Sequence, residues 1–368
     1  MILQACKRGT VHGSTRARER EVLTRGARWA HSSSPMRLLR GLLCLPLILA
    51  LVLAIAWAAG ALWFDGPAWR VAAGSLAGGL VLLALLLLFA VRPFWRSAVL
   101  ITFTFLAVLA WWSTIRPSNR RLWQPDVAQV ASAEINGDQI RIRNVRNFDY
   151  RSETDYTPRW EERTVDLSKL TSTDLFISFW GPTAIAHTIL SFEFSDGRPL
   201  AFSVETRKKE GDSYSAIRGF FKQYELIYIV ADERDVVRLR TNYRGETVYL
   251  YRLKTPPDRA REVLLNYLQE VNRLARSPEF YNALTDNCTT NVRVHFQAVG
   301  GNVPLDWRIL LNGYLDEFLY ERGAIDTRLP FAELKSRSNI DPAARAADQD
   351  PAFSERIRQG LPEFQHAQ

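Results

Sequence analysis

Cysteine and histidine are both scarce in this chain, with three of one and five of the other in 368 residues. Cys288 is the only cysteine beyond residue 50, so a disulfide framework in the C-terminal part is excluded and Cys288 is expected as a free thiol. An odd cysteine in an oxidising compartment points to reactivity or to intermolecular pairing. The histidines and cysteines are scattered, which leaves no metal-ligand set. No glycine-rich phosphate loop and no internal repeat is visible, and no cofactor is expected. The net charge is +8, but nine of the basic residues, from Lys7 to Arg40, lie in the first 40 positions. No later face interleaves basic and aromatic residues, so nucleic acid is excluded as a partner.

What the chain does have is long apolar runs. Leu42 to Trp63, Val71 to Val91 and Ala98 to Trp112 are almost free of charge. The first two meet the roughly 20 residues needed to span a bilayer. The third is shorter, but it ends in Trp111-Trp112, and tryptophan suits the membrane–water interface. Three such runs joined by short linkers predict three transmembrane helices over 36–114. Arg92 and Arg96 lie in the second linker and Arg70 in the first, while the N-terminal tail is strongly basic. That balance puts the N-terminus in the cytoplasm and the long C-terminal part outside, against the weaker opposing pull of Arg116, Arg120 and Arg121. In a Gram-negative bacterium the protein is then an inner-membrane protein with a periplasmic C-terminal domain. Residues 1–35 lack hydrophobic periodicity and are expected to be a disordered or mis-assigned tail, with Met36 opening a fresh "MRLLR". The first run is too long for a signal-peptide core, and Leu43 before Cys44 argues against a lipoprotein site.

From residue 122 to 330 the composition is that of a globular domain, with 331–368 expected as a C-terminal tail. "SAEINGDQIRIRNVRNFDY" alternates about Asn136-Gly137 as a hairpin does. "DLFISFW" reads as a strand, and "AHTILSFEFSDGRPLAFSVETR" as a hairpin turning at Asp196-Gly197. "YELIYIVAD", "VVRLRTN" and "ETVYLYRLK" read as further strands. "PPDRAREVLLNYLQEVNRLARS" then predicts a helix with Val263, Tyr267, Val271 and Leu274 on one face. Strands followed by helices indicate an α+β domain.

Cys288 stands where a second helix begins. Val292, Phe296 and Val299 follow at helical spacing, Gly300-Gly301 supplies a stop, and Thr285, Asp286 or Asn287 can cap the start. A first-turn thiol feels free N–H groups and the positive end of the helix dipole, both of which favour thiolate. Of the histidines, His12, His31 and His366 lie in the tails, and His295 is too far along the same helix. His187, at the start of a strand, is left as the partner. On spacing alone the pair reads either as nucleophile and base or as a core thiol and a hydrogen-bonded strand residue.

"DLFISFWGPTAIAHTILSFEFSDGRPLAFSVETRKKEG", "FFKQYELIYIVADERDVVRLRTNY" and "LTDNCTTNV" resemble the Lnb N-terminal periplasmic domain family over roughly residues 140 to 320. The order of parts, a histidine on an early strand, a polar residue on the next and "NC" at a helix start, is also similar to circularly permuted papain-like folds. These are the NlpC-type and lecithin retinol acyltransferase-like groups. That second resemblance implies a papain-like antiparallel sheet with helices and acyl transfer through a thioester. Cys288 would be the nucleophile and His187 the general base, with Glu205 or Thr206 behind the imidazole depending on the strand register. The Cys288 N–H would supply part of an oxyanion hole, with Asn287 either a second donor or simply the cap. The implied substrates are peptidoglycan stem peptides, lipid or lipoprotein acyl groups, or other envelope proteins. The rival class is a non-catalytic binding or scaffold domain with the same shell.

Overall fold

The computed structural model describes residues 35–283, 285 and 287–362, so the expected tail at the N-terminus and Cys6 lie outside the described residues. It divides into two compact units, 1–111 and 112–368.

The first unit holds the three apolar helices, α1 (Pro35–Asp65), α2 (Arg70–Ala90) and α3 (Phe94–Ser113). Each is long and apolar enough to cross a membrane. Phe94 to Ser97 at one end and Ser113 at the other extend the third run to a helix of 20 residues, which brings it to spanning length. Leu51, Ile55, Ala84 and Ile101 pack inward, whereas Leu53, Leu82, Leu86, Phe89 and Phe103 face outward. An apolar exterior is stable in lipid and costly in water.

The second unit is α+β, built on a mixed eight-stranded sheet. Its strands are β1 (Ser132–Asn136), β2 (Gln139–Arg146), β5 (Trp160–Asp166), β6 (Leu170–Phe179), β7 (His187–Phe194), β8 (Gly197–Arg207), β9 (Glu225–Ala231) and β10 (Thr247–Leu253). The order is β1-β2-β9-β8-β7-β6-β10, with β5 on β2. Short strands β3 (Asp149–Tyr150) and β4 (Tyr156–Thr157) pair separately. All pairings in the main sheet are antiparallel except β2 with β9, so the sheet is mixed where an antiparallel one was expected.

The sheet is covered on both faces, which is why its central strands read as near-continuous apolar runs. One face packs α5 (Pro257–Arg276), whose Val263, Tyr267, Val271 and Leu274 are buried as their spacing predicts, and α6 (Cys288–Ala298). The other face carries α4 (Glu233–Arg238) and the C-terminal segment.

Two expectations differ from the structure. "VVRLRTN" is no strand: α4 continues into a single π-helical turn over Leu239–Tyr243. Asp232 caps it by accepting from the Arg234 N–H, and Val236 and Val237 bury against the sheet, so tertiary packing overrides the β-preference of the valines. The boundary expected at 330 falls inside the fold. After α7 (Trp307–Leu310) and α8 (Leu315–Glu321) come α9 (Phe331–Arg337), α10 (Asp341–Ala346) and α11 (Phe353–Arg356). Ile340, Ala344, Phe353, Ile357 and Leu361 are buried in the second core.

Candidate active site

The register of β7 against β8 decides what stands beside His187. Phe194 pairs with Gly197, so the turn residues are Ser195-Asp196, and a bulge between Phe192 and Phe194 then shifts the pairing by one. Ile189 lies opposite Ser203, and continuing that register sets His187 opposite Glu205. Thr206 falls on the alternate face and takes no part.

His187 Nε2 is 2.7 Å from Ser203 Oγ and 3.3 Å from Glu205 Oε1. The Ser203 hydroxyl donates to Glu205 Oε1 at 2.7 Å. A hydroxyl has one hydrogen, so Ser203 can only accept from the imidazole, and Nε2 carries a proton. That leaves Nδ1 as the ring nitrogen not committed to Ser203 and Glu205. Behind Glu205, Arg240 from the π-helical turn donates to Glu205 Oε1 at 3.0 Å and to Glu246 Oε2 at 2.9 Å. Ser178, paired with His187 across β6 and β7, hydrogen-bonds the same Glu246 carboxylate.

Cys288 opens α6. Asn287 caps the helix, its Oδ1 accepting from the Thr289 and Thr290 N–H groups at 3.1 and 2.9 Å while its Nδ2 donates to Ala283 O at 3.3 Å. Of the open alternatives for Asn287 the cap is what the geometry gives. The sulfur lies 3.5 Å from Asn312 Nδ2, 3.9 Å from Thr289 Oγ1 and 4.0 Å from Ala186 O. Phe296 and Val299 pack half-buried against the core as their spacing predicts, while the fully buried positions of α6 after its first turn are polar, Asn291 and His295. Asn291 and His295 both hydrogen-bond the Tyr228 hydroxyl at 2.9 Å, and His295 Nδ1 meets Asn266 Oδ1 at 2.6 Å. Burial pushes His295 down to about 3, so it is neutral.

Electrostatics couple the two chemical groups. Burial pushes the Cys288 thiol up, but the charge of His187, aided by Thr188, outweighs it and brings the thiol to about 6. Burial and then Arg240 pull His187 down, and Glu205 together with the Cys288 sulfur outweighs both, raising it to about 9. Glu205 is held well below the usual carboxylate range: burial opposes this, while the His187 charge and hydrogen bond, then Arg240 and Ser203, enforce it. Between about pH 6 and 9 the pair is therefore thiolate and imidazolium. Cys288 and His187 are each only 8 % exposed, so the pair is enclosed by the protein.

His187, Glu205 and Cys288 are thus brought together. Ser203, Arg240 and Asn312 were not read from the sequence. Ser203 carried a signal, since residues two apart on a strand share a face with Glu205. Asn312 and Arg240 arrive from separate elements and carried none. Among the described residues no group of three or more His, Cys, Asp or Glu is placed to hold a metal ion.

Residues 156–313 match the Lnb N-terminal periplasmic domain. With the apolar helices before it, the chain is a membrane-anchored protein with a periplasmic Lnb domain. No curated protein and no solved structure matches the chain. The matched stretch of the Lnb domain contains His187, Ser203, Glu205, Arg240, Cys288 and Asn312, all the groups described above.

Proposed function

We propose that the Lnb domain is a thiol hydrolase or acyltransferase that carries an acyl group as a thioester on Cys288. The observation that supports this reading best is a first-turn thiol electrostatically coupled to an imidazole whose Nε2 is already committed to Ser203 and Glu205. In the first half-reaction the thiolate attacks a carbonyl carbon and forms the S–C bond. The tetrahedral intermediate then collapses, the bond to the leaving oxygen or nitrogen breaks, and His187 gives that atom its Nδ1 proton. In the second, Nδ1 takes a proton from water or from an acceptor nucleophile as it attacks the thioester, and the S–C bond breaks. The order of histidine, polar residue and cysteine shared with permuted papain-like folds fits the same roles, as does a substrate drawn from peptidoglycan peptides, lipid acyl groups or envelope proteins.

A rival reading is a binding or scaffold domain that keeps the shell without the reaction. The 8 % exposure of both Cys288 and His187 favours it, since a substrate carbonyl needs a path to the sulfur. Alkylation with iodoacetamide, mapped to Cys288 by mass, separates the two. The enzyme reading expects a rate that rises with a midpoint near pH 6 and a midpoint for His187→Ala near the ordinary thiol value of about 8.5. Equal midpoints in the two proteins, or no labelling of the native chain, would leave the binding domain.

A further inference from the structure

Resting on the acyl-transfer reading, we infer that Asn312 is the side-chain donor of the oxyanion hole. Asn312 lies in a turn of 3-10 helix (Asn312–Tyr314) between α7 and α8, and it is buried. Its two ends do different things. Oδ1 accepts the Ala186 N–H at 2.8 Å, which fixes the residue just before His187. The neighbouring Gly313 seals this junction: its N–H donates to Ala184 O at 3.0 Å, and a side chain there would meet Thr183 O at 1.8 Å. The orientation of the amide is set by these contacts, because the end facing the Ala186 N–H has to be the oxygen. Nδ2 must then face α6.

Nδ2 has two hydrogens. One goes to Thr289 Oγ1 at 2.8 Å, and the other is directed to Cys288 Sγ at 3.5 Å. Sulfur is a weak acceptor when protonated and a better one as thiolate. When the thiolate attacks, its charge passes to the carbonyl oxygen, which sits two bonds from the sulfur. The hydrogen that served the sulfur is beside the oxygen that replaces it as the centre of charge. The second donor is the Cys288 N–H itself. As the first residue of α6 it has no intrahelical acceptor, and Asn287 spends its oxygen on the N–H groups of Thr289 and Thr290. Asn287 is the weaker candidate, since its Oδ1 is tied to the Thr289 and Thr290 N–H groups and its Nδ2 gives a hydrogen to Ala283 O, while nothing turns the amide toward the sulfur as Asn312 is turned. A backbone amide and a side-chain amide therefore converge on the space next to Sγ, preorganised by contacts that do not change during reaction.

A donor to an oxyanion and a structural tie differ in what they slow. The full chain in detergent is treated with p-nitrophenyl butyrate, and Cys288 acylation is followed by p-nitrophenolate release and by the mass of the acyl adduct. Iodoacetamide alkylation, which develops no oxyanion, is run in parallel, and acylation rates are compared at equal thiolate fraction. Asn312→Ala is expected to lower acylation by about 100- to 1000-fold, the loss typical of one oxyanion donor, with alkylation changed less than about 3-fold. Asn312→Asp keeps an acceptor for the Ala186 N–H and has no N–H to donate, so it should show the same split if the alanine variant folds poorly. Acylation that is unchanged, or that falls in step with alkylation, overturns the assignment. A native chain that is alkylated but never acylated would instead sink the acyl-transfer reading, and the role of Asn312 with it.

Discussion

His187 and Glu205 face each other across β7 and β8, with Nε2 and Oε1 3.3 Å apart and the Ser203 hydroxyl bridging them. The side chains that share their face of the sheet, Ile189 and Ser191, point toward α4 and the C-terminal helices. The alternate residues, Leu190 and Phe192, point toward α5 and α6, where Cys288 sits. His187 is the first residue of its strand, so its ring stands at the sheet's end, bonded to Ser203 on one face and electrostatically coupled to Cys288 on the other. A carboxylate–guanidinium network on one face is thereby connected through one imidazole to a thiol on the other.

Glu205→Gln tests that connection. The glutamine keeps an acceptor for Ser203 but removes the charge that raises His187, and it leaves Arg240 repelling the imidazolium. The imidazolium becomes less stable, so the thiolate loses its partner. An opposite charge at this range is worth about 1–3 pKa units. The midpoint of Cys288 alkylation is expected to rise from near 6 by about one to two units, with roughly a tenfold loss of rate at pH 6. An unshifted midpoint would mean that Glu205 is only a surface partner for Arg240.

The same pair should leave a signature in stability. His187 is raised in the folded state, so its contribution is complete below its ordinary value of about 6.5 and is lost as pH rises through about 9. Cys288 is lowered, so its contribution is complete above about 8.5 and is lost as pH falls through about 6. Both describe one ion pair, whose stabilisation is greatest between about pH 6 and 9. The difference in denaturation midpoint between the native chain and Cys288→Ala should trace a bell over that window. A flat difference would show that the pair is neutral in the folded protein.

The membrane helices were legible because an uncharged run of spanning length has few other uses, and α5 because four apolar residues repeat at one helical spacing. Cys288 could be placed at a helix start from the Asn287 cap and the apolar positions after it, though the fully buried positions after the first turn proved to be Asn291 and His295. Local signals stop at the element. With the turn at Ser195-Asp196 an unbroken register would set Val204 opposite His187, and the bulge at Phe192–Phe194 brings Glu205 there instead; a bulge leaves no mark in an alternating pattern. Asn312 reaches the sulfur from 24 positions downstream, and Arg240 comes from a helix that reads as a strand. The C-terminal helices escaped because each is short and contributes only one or two buried apolar side chains, so no period builds up.

Those helices are held by a buried charge cluster, which gives the last prediction. Arg358, just after α11, bonds Asp174 on β6 at 2.8 and 3.0 Å and Glu233 at the start of α4 at 2.7 and 2.8 Å, and pairs with Glu193 on β7 at 2.5 Å. Arg252 is the second cation, contacting Asp174 and Glu193. Two guanidinium groups thus serve three carboxylates, and Asp174 and Glu233 are completely buried. Removing one partner from such a cluster costs more than the pair contributes, because a desolvated charge is left behind. Arg358→Met, which keeps much of the side-chain volume, is expected to lower stability by about 3–5 kcal/mol at neutral pH. Burial already raises Glu193 with Arg358 in place, so in the variant a proton on a buried carboxylate relieves the strain of like charges. The deficit should therefore shrink as pH falls from about 8 to about 5, read as the difference in denaturant midpoint followed by tryptophan fluorescence. A deficit that stays constant over that range would mean that the carboxylates are solvated when Arg358 leaves, and that the C-terminal segment detaches from the sheet instead of sealing it.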